Sequence, residues 1–166
     1  MLFHRYKDVN ETYEVIMDDG VLKQLLAWSV GSKRLETGGV LAGYYNDELN
    51  KAIIIQGSDA PKDSKHMRYR FYRGVIGLQE WLEMIWEKEK AYYLGEWHFH
   101  PYASSRMSST DDKQMCHIAR DISYHCPEPL LLIIGGNPSK EYSISVNIFR
   151  NNGKNVELNI YSSEII

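Results

Sequence analysis

Gly95-Glu96-Trp97-His98-Phe99-His100-Pro101, with the polar segment that runs on to Asp111, is the stretch on which the reading of this chain turns. Side chains alternate along a strand with a period of two, so His98 and His100 share one face. Their Cα atoms are then roughly 6.6 Å apart, within reach of one metal ion. Ser108 and Asp111 follow, in the order His-x-His-x(7)-Ser-x(2)-Asp. Two imidazoles and a carboxylate leave the fourth position of a tetrahedral metal open, as catalytic zinc requires and structural zinc does not. Ahead of the pair, Ala91-Tyr92-Tyr93-Leu94 has the aromatic and apolar content of a buried strand. Behind it, Tyr102 to Met107 reads as loop and Ser109-Thr110-Asp111-Asp112 as a helix start. Asp111 is therefore expected in the first turn of a helix that the loop folds back toward the strand.

The rest of the composition is that of an ordinary globular chain. At 166 residues it is expected to be one domain, residues 1–166, with 43% apolar and 25% charged content. A net charge of −3 gives no support to a nucleic-acid surface. No apolar run approaches the ~20 residues needed to span a bilayer, and Met1 to Arg5 lacks a signal-peptide core, so the expected location is cytoplasmic. The two cysteines, Cys116 and Cys126, are too few for a disulfide framework. Cys116-His117 and His125-Cys126 could form a second zinc site. Neighbours on a helix point about 100° apart, however, and chelate poorly, so ordinary buried thiols are the simpler expectation.

Taken in order, Thr12 to Met17 reads as a strand with Tyr13, Val15 and Met17 on one face. Asp18 or Asp19 can cap a helix whose face is Val21, Leu22, Leu25, Leu26 and Ser29, ending at Gly31. Val40 to Tyr45 and Ala52 to Ile55 form an antiparallel hairpin around Asn46-Asp47. Asp59 to His66 reads as loop, and Met67 to Tyr72 as a strand with one wet face. The cations Lys62, Lys65, Arg68, Arg70 and Arg73 in this region are either a solvated edge or a grip on an acidic partner. Gly74 to Lys90 reads as a helix with Val75, Leu78, Leu82 and Ile85 on one stripe. A third helix over about Thr110 to Tyr124 would present Met115, Ile118, Ala119 and Ile122 inward. Leu130 to Ile134 suits the centre of a sheet, and Tyr142 to Phe149 with Val156 to Tyr161 forms a closing hairpin around Asn151-Asn152-Gly153. The expected architecture is one α/β domain, a mixed β-sheet flanked by helices.

A zinc at His98, His100 and Asp111 needs a carboxylate to accept the proton of its water and pass it to the leaving amine. Glu96 shares strand parity with both histidines. Glu36 precedes a glycine pair, Gly38-Gly39, where backbone can pass close to a site. Spacing alone does not choose between them.

Glu36-Thr37-Gly38-Gly39-Val40-Leu41-Ala42-Gly43, His98-x-His100-Pro101 and Ser108-x-x-Asp111 together resemble the JAMM (MPN-plus) metallopeptidases, over most of the chain and with a complete motif set. The resemblance implies a JAMM, cytidine-deaminase-like fold and hydrolysis of peptide or isopeptide bonds after the C-terminal glycine of ubiquitin-like modifiers. It implies that Glu36 is the general acid/base, that His98, His100 and Asp111 bind Zn²⁺, and that Ser108 donates to the tetrahedral oxyanion, with Glu96 in support. The Gly95-Glu96-Trp97-His98 run looks most like bacterial members found in CBASS anti-phage operons and among integrative and conjugative element proteins. There the expected substrate is a nucleotidyltransferase conjugated through its own C-terminus. One departure is Phe99, where the family usually carries a small Ser or Thr; strand parity turns it away from the metal.

Three other readings are distinguishable. A zinc nucleobase deaminase would need a glutamate two residues after a ligand histidine and a Pro-Cys-x-x-Cys, which this chain lacks. A non-catalytic scaffold of the same fold would have lost ligands, and all three are present. A peptidase that processes a sulfur carrier shares the chemistry and differs in substrate. Ser108 could also serve only as a helix cap, and Ser109 with Asp112 could form a capping box without it.

Overall fold

The strand that carries the histidines, β7 (Tyr92–Pro101), lies between β3 (Thr37–Tyr45), antiparallel to it, and β8 (Leu130–Gly136), parallel to it. The computed structural model describes residues 1–165. The remaining strands of this sheet are β1 (Leu2–Lys7), β2 (Glu14–Asp18), β4 (Lys51–Gly57), β9 (Tyr142–Phe149) and β10 (Asn155–Ile165). They close into a barrel in the order β1-β10-β9-β8-β7-β3-β4-β2, a correction to the expected mixed sheet simply flanked by helices.

The closure comes from β1, which the hydrophobic pattern does not announce. Only Tyr6 of Leu2–Lys7 is buried. The strand is held by polar cross-links instead: His4 Nε2 to Asp19 at 2.9 Å and Arg5 Nη1 to Glu14 at 2.7 Å. It pairs with β2 on one side and β10 on the other, and so joins the two ends of the sheet.

Alternation then sorts the side chains of β7 and its neighbours. Trp97 and Phe99 point inward with Leu41, Leu130, Leu132 and Ile134, and α1 (Asp19–Ser32) packs Val21, Leu22 and Leu25 into the same core. Trp28 of that helix stacks on Trp97 at 5.9 Å. The outer face of Val40, Leu131 and Ile133 is covered by Met115, Ile118 and Ala119 of α3 (Ser109–Arg120). Helices therefore lie on both faces, as anticipated, but the sheet between them is closed. Glu96, His98 and His100 sit on the outer parity, and Asp111 of α3 meets the two histidines.

Gly95 makes a kink here. Its φ is +152°, and a Cβ would run into the backbone of Leu130. The register with β3 slips at this point: Gly95 faces Leu41, but Tyr93 faces Ala42. The bulge turns Tyr93 and Glu96, three residues apart, to one side, where the Tyr93 hydroxyl donates to Glu96 Oε1 at 2.9 Å.

Several local expectations shift. Met67 to Tyr72 is not a strand: Lys65–His66 (β5) pairs with Phe71–Tyr72 (β6), and Met67 to Arg70 is the turn of this short hairpin. Its tip residues are exposed on every side, so their alternation had no core to face. The next helix, α2 (Leu78–Glu89), begins after Gly77 rather than at Gly74, because Asp63 binds the amides of Val75 and Ile76 at 3.0 Å in a separate turn. Val75 is consequently exposed. Helix α3 stops at Arg120, since Asp121 accepts from Ser123 and caps a new 3-10 turn, Ile122–Tyr124. Ile122 is 88% exposed and leaves the inner face to Met115, Ile118 and Ala119.

Candidate active site

Strand β7 ends at the outer surface with His98 and His100, and the chain returns through Tyr102 to Met107 so that Asp111 enters the first turn of α3 between them. His98 Nδ1 lies 3.0 Å from Asp111 Oδ1, and His100 Nε2 lies 3.6 Å from Asp111 Oδ2. One ligand atom from each falls within 4.8 Å of the others, and all three side chains are buried. Among the described residues no other cluster of three or more such groups occurs. Cys116, His117, His125 and Cys126 do not assemble. Cys126 instead packs under α3, donates to the Leu94 carbonyl at 3.7 Å, and is pushed by burial to a pKa of about 12.

The donor set fits a metal ion on two grounds. Buried His98 Nε2 has no hydrogen-bond partner, a state that costs free energy unless the lone pair is used otherwise. The Nδ1 of His100 faces the Ser104 carbonyl at 3.3 Å, which places its proton there and leaves Nε2 free to ligate. Burial would raise the Asp111 carboxyl, but the bond and charge of His98 and two bonds from Ser108 hold it at about 2, so it is an anion at neutral pH. Burial lowers the His100 pKa, so its imidazole is neutral and able to bind a cation.

Ser108, not Ser109, is the N-cap of α3. Its Oγ accepts from the Asp111 amide at 3.1 Å and donates to Asp111 Oδ2 at 2.8 Å, while its own amide donates to the same oxygen at 2.8 Å. The capping box is thus Ser108–Asp111, and it locks the candidate third ligand.

Glu36 stands immediately before β3. Its amide donates to the Met67 carbonyl at 2.8 Å and its carbonyl accepts from His66 Nδ1 at 3.1 Å. Its carboxyl is pushed up to about 7, first by burial and then by the Asp111 anion, with His98 opposing. Gly38 lies opposite His98 in the β3–β7 register, and a Cβ there would come within 2.9 Å of the His98 ring. The glycine is what allows the histidine strand and the glutamate strand to pair this closely. Glu96 is different. It is fully buried, and Arg73 Nε binds its Oε2 at 2.6 Å.

That ion pair corrects the reading of the basic segment. Arg73 is committed to Glu96 and is not part of a surface grip, whereas Lys62, Lys65, Arg68 and Arg70 stay exposed. The β5–β6 hairpin also comes closer to the site than its sequence suggests. Phe71 meets the His98 ring edge-on at 5.7 Å, and His66 sits 5.2 Å from Phe71. No spacing rule connects residues 66–71 with residue 98, so only the tertiary contact reveals them.

The chain belongs to the family of prokaryotic homologs of the JAB domain, whose pattern matches residues 18–149. Two relatives fit that assignment. One is a protein of Enterobacter hormaechei subsp. hoffmannii (strain UCI 50) named "CD-NTase/cGAS isopeptidase", 37% identical over 136 residues, covering 82% of this chain and 75% of that protein. The other, from Sinorhizobium fredii (strain NBRC 101917 / NGR234), is named "Probable metalloprotease y4qB" and is 30% identical over 129 residues, 72% of each chain. The solution structure of protein DSY2949 from Desulfitobacterium hafniense superposes with a TM-score of 0.57 at 16% identity over 88% of both chains, a likeness of fold.

Proposed function

We propose that this protein is a zinc-dependent peptidase of the isopeptidase type, cutting after the C-terminal tail of a ubiquitin-like protein or of a protein conjugated in the same way. The observation that carries the proposal is the convergence of His98, His100 and Asp111 on one point, with Glu36 in electrostatic contact with Asp111 and His98. The family and the peptidase names of the two relatives support the same reaction class. A bound zinc would polarise the scissile carbonyl and lower the pKa of water toward ~7.

The chain's own residues supply the rest. Glu36, poised near neutrality, takes the proton from the attacking water and delivers it to the departing amine. Asp111 and the Ser104 carbonyl hold His98 and His100 in orientation. Ser108 positions Asp111, and its hydroxyl would serve as a donor to the oxyanion once it turns from Oδ2. We extend the proposal to a nucleotidyltransferase conjugate as substrate, which the Enterobacter relative's name supports, and to cytoplasmic anti-phage defence, which rests on the family resemblance alone.

The test is metal analysis of the purified protein followed by digestion of a ubiquitin-like tail joined through its terminal glycine to a lysine side chain. The expected result is about one zinc per chain, cleavage at the glycyl–lysine bond, loss of cleavage with chelator and its return with zinc. A zinc-loaded protein that hydrolyses neither isopeptide nor linear peptide bonds would overturn the reading.

A further inference from the structure

A cleft beside the metal cluster carries a second inference. It is walled by Arg34, Arg68, Tyr69, Pro101, Tyr102 and Ala103 and has a volume of about 270 Å³. Each wall is tied to a candidate site residue. One wall is the tip of the β5–β6 hairpin, whose Met67 carbonyl accepts the Glu36 amide at 2.8 Å. Arg34 precedes Glu36 by two residues on the same approach. The opposite wall continues directly from His100, and Ser104 at its far end faces His100 Nδ1 at 3.3 Å.

The chemistry of the lining is one-sided. Two guanidinium groups contribute to it and no carboxylate does. Among the described residues neither Arg34 nor Arg68 has an ion-pair partner, so both guanidinium groups keep their charge unpaired. Arg68 stands over the Tyr69 ring at 5.2 Å. The tyrosine walls are held open to solvent: Tyr69 is 79% and Tyr102 68% exposed. Tyr102 also sits at φ +55°, a conformation uncommon for a large side chain, with its amide bonded to the Gly136 carbonyl at 2.9 Å. Backbone strain kept in an exposed aromatic, one residue past Pro101 and two past a candidate ligand, points to a recognition surface.

We propose that this cleft is a subsite for an acidic side chain, Glu or Asp, of the peptide being cut, close in sequence to the scissile bond. The inference rests on the peptidase reading above and adds a substrate preference to it. Guanidinium groups bind carboxylates through paired N–H donors, and the two phenol rings flank the place where such a pair would form. Because Arg68 belongs to the hairpin that also carries the Glu36 contact, filling the cleft would hold that hairpin against the site.

Two measurements test it together. Zinc-loaded protein digests a synthetic peptide library with one position randomised at a time, read by mass spectrometry. Separately, ¹⁵N-labelled protein is titrated with N-acetylglutamate amide and with its glutamine counterpart. The expected library result is enrichment of Glu and Asp at one fixed position near the cut, by about tenfold over Gln. The double charge reversal R34E/R68E should shift that position toward Lys and Arg. In the titration, the glutamate compound should move amide signals of residues 34, 68, 69 and 102, with effects that weaken as salt rises, and the glutamine compound should not. Cleavage without any acidic preference would overturn the subsite and leave the peptidase reading standing. Absence of all cleavage would overturn the peptidase reading, and the titration alone then decides whether the cleft binds a carboxylate. No glutamate-dependent shift at these residues would reject the cleft as a carboxylate site.

Discussion

Of two glutamates near the histidine pair, Glu96 lies on the histidine strand and Glu36 at the start of the strand beside it, and their surroundings could hardly differ more. Glu96 is fully buried, yet Arg73 binds one of its oxygens at 2.6 Å and Tyr93 donates to the other at 2.9 Å. Glu36 is less buried, but among the described residues no cation or donor is bound to its carboxyl; burial and then the Asp111 anion raise it to about 7. A carboxylate with both oxygens satisfied is a structural fixture. One left without a partner beside an anion holds its proton loosely near neutral pH, which suits a group that must take and return one. Spacing left Glu96 and Glu36 both open as the base, and their partners argue for Glu36.

The largest effect that could break this contrast is loss of the cluster itself. His100→Ala or Asp111→Ala should abolish both metal content and peptidase activity, measured by metal analysis and conjugate cleavage. Full metal content in Asp111→Ala would show that the third ligand lies elsewhere. Next, Glu36→Gln should retain metal and fold while losing about 10²–10⁴-fold in rate, the usual share of general acid–base catalysis. If Glu96→Gln loses that much at unchanged stability and Glu36→Gln does not, the roles are reversed.

Arg73→Ala should report on the structural side. It leaves the Glu96 charge buried without its ion-pair partner, and removing one member of such a pair costs about 3–5 kcal/mol. A lowered denaturation midpoint is therefore expected. A destabilisation below about 1 kcal/mol, as for an exposed pair, would show that water reaches Glu96.

The acid–base side gives a smaller and pH-dependent effect in chelator-treated protein. The Glu36 carboxyl is raised from 4.5 to about 7, so folding favours its protonated form. The penalty for ionising it is absent below the unfolded pKa, grows as pH rises through this window and is complete above about 7. Glu36→Gln should hence be equally stable at pH 4 and more stable at pH 8, by about 1 kcal/mol after allowance for partial exposure. A stability difference that is flat with pH would contradict the raised pKa. Smallest is Ser108→Ala, which removes the N-cap of α3 and should cost about 1 kcal/mol. If its rate falls further than metal loss explains, the hydroxyl acts on the substrate as well as on Asp111.

What the sequence by itself determined is the part of the molecule written in short-range periodicity. The two-residue alternation of Trp97-His98-Phe99-His100 sent the aromatics into the core and the histidines to the outer face, as the burial of Phe99 in the barrel interior shows. Helical onset after a loop put Asp111 in a first turn, and Asn151-Asn152-Gly153 lies between β9 and β10. Closure of the sheet was decided by the tertiary structure, because β1 is held by ion pairs that depend on Glu14 and Asp19 being brought beside it and leave no apolar stripe to read. The same holds for the docking of the 65–72 hairpin on His98 and Glu36, and for the withdrawal of Arg73 from the surface to Glu96. Each joins residues nine or more positions apart, beyond the reach of strand or helix periodicity, and only packing selects the partner.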